Sequence, residues 1–210
     1  MVAADYAYGV FVNRPFDAEY KPLFEAIVFA VHDCGYIARC VLEVDDSSEV
    51  RIEEIARLIA ACKFGIHDIS RTELDAIHSL PRFNVPLELG LFLGAKRFGR
   101  AEQKAKVCLI LDTEKYRYQK FISDIAGQDI ATHGQAPAEA IKAVRNCLRG
   151  ATPRTVKIPS GTIIARRYEL FRQELPLMCK KLHLNEAELT FSEYVLQVEE
   201  WLKLNVEVAR

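Results

Sequence analysis

An excess of charge of one sign is the first thing missing from this chain. Its 28 Lys and Arg residues against 29 Asp and Glu leave a formal net charge of −1 over 210 residues. Nothing in that total recruits nucleic acid or an anionic membrane as a partner. No apolar run approaches the ~20 residues needed to span a bilayer. "MVAADYAYGVFVNRPF" lacks the basic and then apolar regions of a secretory signal. Six cysteines (Cys34, Cys40, Cys62, Cys108, Cys147, Cys179) stand singly, several in apolar stretches such as "LIAACKFGI" and "KVCLILD". They read as buried thiols of a cytoplasmic protein rather than as disulfides or metal ligands. HExxH is absent and the five histidines are dispersed, so no metal site is expected. Neither GxGxxG nor GxxxxGK[ST] follows the first strand, which argues against a dinucleotide dehydrogenase and a P-loop NTPase, and there is no GxSxG elbow.

What is present is an ordinary globular composition, half hydrophobic and 27% charged, with length for one α/β domain and a small appendage. "YGVFVN" reads as a buried first strand over 8–13. Leu23, Phe24, Ile27, Val28 and Val31 follow at helical spacing, closed by Gly35. "YIARCVLEVD" predicts a second strand. "SSEVRIEEIARLIAACK" predicts a serine-capped helix with Val50, Ile52, Ile55, Leu58 and Ile59 on one side. "FGIHDIS" is a third strand and "KAKVCLILD" a fourth, ending at Asp112, and "QAPAEAIKAVRNCLRG" is a further helix. This alternation predicts a flavodoxin-like, doubly wound parallel sheet over residues 1–150. Residues 151–210 form a C-terminal helical extension behind a Pro- and Gly-punctuated linker. Pro176 is expected to interrupt or kink its first helix, and the extension offers a surface for packing on the sheet, for a partner or for a homo-oligomer.

Ligands of open parallel sheets bind beyond the carboxyl ends of the strands. That rule selects Asn13, Arg14, Phe16 and Asp17 from the first strand, and His67, Asp68, Ser70 and Arg71 from the third. Arg82, Asn84 and Glu88 follow in the next connection, and Asp112 ends the fourth strand. In "RFNVPLELG", Asn84 is a candidate cap and Pro86 suits a first turn, which places Glu88 near a helix N-terminus where free N–H groups and the dipole favour an ionised carboxylate. Such an acid serves as a glycosidic nucleophile or a stabiliser of an oxocarbenium ion, or simply strengthens a helix start. Arg14, Arg71 and Arg82 suit a phosphate or the protein's own carboxylates equally. "YRYQKFISDIAGQDIATH" reads either as a lid over the cleft or as a solvated helix packed by Phe121, Ile122 and Ile125.

"VNRPFD", a strand ending in Asp68 and "FNVPLELGLFLGAK" together resemble the superfamily of nucleoside 2-deoxyribosyltransferases and Toll/interleukin-receptor (TIR)-like NAD-cleaving domains, in a bacterial branch carrying "HDISR" and "YRYQKFISDIAGQDI". The resemblance covers about residues 7–112. It implies catalysis by Glu88, with Asp68 near the sugar or base; the strand-end rule adds Asn13, Arg14, Phe16, His67, Ser70, Arg71, Arg82 and Asn84 around the substrate. Where the transferases carry Asp-x-Gly-Thr before the helix, this chain has "RFNVP", and the Trp-Cys pair of TIR enzymes is absent, so the substrate stays open. The expected activity is cleavage or transfer at the N-glycosidic bond of a nucleoside, nucleotide or NAD-like molecule, needing no metal or redox cofactor. The alternative is a non-catalytic nucleotide-sensing or protein-interaction module in bacterial defence or signalling.

Overall fold

The computed structural model describes residues 6–43, 48–72 and 82–205. Five strands form one wholly parallel sheet in the order β2-β1-β3-β4-β5: β1 (Gly9–Asn13), β2 (Ile37–Arg39), β3 (Phe64–Asp68), β4 (Val107–Asp112) and β5 (Ala131–Thr132). The helices are α1 (Lys21–Asp33), α2 (Arg51–Ala61), α3 (Asn84–Phe98), the single turn α4 (Ala101–Lys104), α5 (Pro137–Ala151), α6 (Gly161–Lys181) and α7 (Phe191–Asn205). This is the flavodoxin-like α/β architecture, with β1 and β3 buried along their whole length, as strands covered on both faces must be. Among the described residues, no helix is long and apolar enough to cross a membrane.

Alternation along β3 assigns the two faces. Gly65 and His67 meet Phe92 of α3, whereas Asp68 reaches Tyr20 just ahead of α1. Helices α1 and α5 therefore cover one face, and α2 and α3 the other. The two C-terminal helices lie over α1 and share its core. Phe29 packs against Tyr168, Phe171 and Trp201 at ring separations of 5.3–5.8 Å. Arg145 binds the segment before α6 to α5 by donating to the carbonyls of Ile158 and Pro159.

Four local expectations are corrected. The second strand pairs only over Ile37–Arg39 and then turns as a 3-10 helix at Val41–Glu43. There the Glu43 carboxylate takes the Arg39 guanidinium and the Cys40 N–H, a local partner set that displaces the ladder. Helix α2 starts at Arg51 with Val50 as its cap and no side-chain cap bond. Val50 and Ile52 are exposed, so the buried face is Ile55, Leu58 and Ile59 with Glu54. Residues 44–47 and the connection at 73–81 lie outside the described residues. Helix α6 runs unbroken through Pro176, whose ring sits on the solvent side while Leu175 and Cys179 dock into the core. The stretch 116–133 is not one solvated helix and ends in β5. It forms two 3-10 turns (Arg117–Lys120, Ser123–Ile125) packed through Tyr118, Ile125 and Ile130 beside α3.

Gly65 sets how closely α3 approaches the sheet. A methyl group there would lie 2.6 Å from the Phe92 ring and 2.7 Å from His67 Nε2. Gly65→Ala is expected to lower stability by about 1–3 kcal/mol by overpacking, read as a reduced urea midpoint at unchanged m-value. An unchanged midpoint would show that α3 lifts off at no cost.

Candidate active site

The carboxyl edge of the sheet carries two polar groups on opposite faces, separated by the turn that follows β1. On the α1/α5 face, Asp68 is fully buried and its carboxylate is well supplied. The Ser70 N–H donates to Oδ1 at 2.9 Å and the Tyr20 hydroxyl to Oδ2 at 2.5 Å. His133 Nε2 also lies 3.1 Å from Oδ2, outside hydrogen-bonding alignment. His133 Nδ1 accepts from the Gln135 N–H, which leaves the ring proton on Nε2, toward Asp68. Burial and the Asp68 charge hold the Tyr20 hydroxyl well above its ordinary pKa, so it remains a donor. A cavity of about 180 Å3 opens over this group, lined by Glu19, Tyr20, Ser70, Arg71, Thr113 and His133 among others.

On the α2/α3 face stands Glu88, 6% exposed. Helix α3 begins at Asn84 with Phe83 as its cap and no side-chain cap bond, so Asn84 does not cap it and Glu88 lies one residue beyond the first turn. The N–H groups free at a helix start are those of that first turn. Their help in holding a charge does not extend to Glu88. Among the described residues its carboxyl has no hydrogen-bond partner, and the opposing charge that acts on it is Arg51 at the start of α2. Burial dominates and pushes the carboxyl up to about 7, with Arg51 pulling back only weakly. The expected permanently ionised acid is thus one poised near neutrality.

The other candidates divide clearly. Asn13 and His67 are not at an open edge but buried under α3. Asn13 Nδ2 donates to the Val85 carbonyl at 2.9 Å and lies 3.0 Å from His67 Nδ1, which accepts. The His67 ring sits between Phe11 and Phe92, and burial lowers its pKa to about 3, with the Lys106 charge adding to the effect. It is a neutral core histidine. Arg71 pairs with Glu19 at 3.1 Å, and Arg82 pairs with Asp17 across the edge; both carboxylates belong to the protein. Asn84 and Phe16 are exposed. Arg14 forms no salt bridge among the described residues. Its guanidinium lies over Phe24 at 4.1 Å and Phe16 at 4.8 Å, Nη1 donates to the Pro15 carbonyl, and Nε is buried without a partner. Asp112 is fully buried against Arg117, which also donates to the Ile69 carbonyl and so ties the ends of β3 and β4 together.

The structure therefore brings Arg14, Asp68, Ser70 and Arg71 to one edge together with Tyr20 and His133, which sequence reasoning missed. Glu88 approaches the same turn from the other face, near Cys40 and Arg51. His133 was concealed because β5 is two residues long, too short to be seen as a strand whose end should be searched. Among the described residues, no group of three His, Cys, Asp or Glu side chains is placed to hold a metal ion.

The raised carboxyl pKa has a consequence for stability. Between its unfolded value near 4.5 and its folded value near 7, the native state holds the proton more tightly, so ionisation at higher pH works against folding. Glu88→Gln is expected to be more stable than the parent at pH 8, with the difference shrinking toward pH 4.5, in paired urea titrations. A parent equally stable at both ends would mean that the carboxyl is solvated. No protein-family model, curated protein or solved structure matches the chain.

Proposed function

We propose that the carboxyl edge binds a nucleoside, nucleotide or NAD-like molecule and that Glu88 breaks its N-glycosidic bond. The observation that carries this reading is the Glu88 carboxyl itself, buried, without a hydrogen-bond partner and raised to about 7. An unpaired acid costs stability where it stands, and such sites are where catalytic groups cluster. In its ionised form Glu88 attacks, or stabilises as a cation, the anomeric carbon. The C–N bond breaks and its electron pair leaves with the base: nicotinamide departs from an NAD-like molecule already neutral, whereas the base of a neutral nucleoside takes a proton from solvent. Water or a second hydroxyl acceptor then captures the sugar and gives up its own proton. Asp68, held by Tyr20 and Ser70, supplies an oriented acceptor for a sugar hydroxyl. Of the three arginines, Arg14 is the candidate for a phosphate, because Arg71 and Arg82 are already engaged by Glu19 and Asp17.

A second reading has its own support. Asp68 is satisfied by its own neighbours, and the cavity over it does not include Glu88, which suits a site that binds a nucleotide without turnover. Incubation with NAD, deoxynucleosides and nucleotides separates the two. The enzyme reading predicts release of free base, rising with pH to a plateau above about 7 and falling at least 100-fold in Glu88→Gln, a loss of the size typical for a catalytic acid–base group. Binding without release, undiminished in Glu88→Gln, would overturn it in favour of a sensor.

A further inference from the structure

A second cavity, of about 580 Å3, lies at the opposite, amino edge of the sheet. It is enclosed by the end of α1 and the turn into β2, the segment before α6, and the facing sides of α6 and α7. Its walls are apolar at Val156, Ile158, Pro159 and Leu202, and its volume falls in the range of about 300–1,000 Å3 usual for small-molecule sites.

The polar groups set into these walls are incompletely paired. Asp33, its side chain 2% exposed, takes Arg167 Nη1 at 2.8 Å on Oδ1, while its buried Oδ2 has no donor. A buried acceptor left without a donor is destabilising, and a donor N–H reaching it would relieve that cost. The Ala38 N–H approaches His32 Nε2 at 3.4 Å, which puts the ring proton on Nδ1. That proton faces Glu199 Oε1 at 3.6 Å, too far for a direct hydrogen bond. Burial lowers His32 to about 4, so the ring is a neutral donor at ordinary pH. The two innermost charges, Asp33 and Arg167, already cancel. Farther out, Glu199 stands against Lys157, and Lys203 is already engaged by Glu200, so the lining as a whole favours neither an anion nor a cation.

We propose that this cavity is a second ligand site, separate from the Glu88 edge, for a small uncharged planar heterocycle with an N–H donor beside a ring-nitrogen acceptor. The donor goes to the unpaired Oδ2 of Asp33, the acceptor takes the His32 or Arg167 N–H, and the ring lies against Ile158 and Leu202.

The probe is 7-azaindole, with benzoate and benzylamine as the anionic and cationic counterparts, observed by saturation-transfer NMR on the whole chain. The parent protein is expected to give a signal for 7-azaindole and none for either ion. The signal should vanish in Leu202→Trp, which fills the cavity, and persist in Glu88→Gln. Val156→Trp, at an exposed position that spares the core, provides the same block should Leu202→Trp fail to fold. Silence of 7-azaindole at millimolar concentration would overturn the proposal. So would a signal that survives the folded blocking variants, or equal binding of either ion.

Discussion

The approach of α3 to the sheet over Gly65 is the constraint on which the rest of the site depends. Because Gly65 carries no side chain, the Phe92 ring settles directly on β3, next to His67. The same descent brings the start of α3 against β1, where Asn13 fastens it through the Val85 carbonyl. Glu88 lies one turn before Phe92 on that helix and is carried down with it. Its burial follows from the packing of its neighbours, since the carboxyl contributes no bond of its own. A residue with no functional group thus determines the chemistry available to one that has it.

The two carboxylates at this edge show opposite solutions to burial. Asp68 accepts from the Ser70 N–H and the Tyr20 hydroxyl, with His133 adjacent, so its place is fixed. Glu88 has only the distant help of Arg51 and is raised to about 7. One is held by donors and the other stands without them, and such a contrast of environments is what sets the pKa values of two acids apart. The paired arginines extend the same contrast. Arg71 and Arg82 secure the turn that follows β1 through Glu19 and Asp17, and Arg14, lying on Phe24 and Phe16, keeps donors to spare.

The sheet was legible because β1, β3 and β4 are short apolar runs separated by helices of clear period, and parallel topology follows from that alternation. The polar ends of those strands, Asn13, Asp68 and Asp112, do lie together at the carboxyl edge of the sheet. Less legible were features decided by tertiary contact. Glu43 truncated β2 by bonding its own neighbours, and β5 was too short to announce itself, which hid His133. His67 sits at a strand end as the rule requires, but the pleat turned it toward Phe92 and Phe11, away from any open edge. Glu88 stood out in the sequence for a reason that the structure replaces. A helix dipole was expected to keep it charged, whereas the helix starts one residue too early for that and burial works in the other direction.

The central claim is that Glu88 is a buried, unpartnered acid, and its own titration tests it most directly. Carbon-detected NMR of the glutamate side-chain carboxyl signals, with Glu88 assigned by its absence in Glu88→Gln, reads the midpoint without reference to any substrate. The account predicts a midpoint near 7, set apart from the exposed glutamates. A midpoint at the ordinary value near 4.5 would contradict it, because the carboxyl would then be as well solvated or as well bonded as any on the surface.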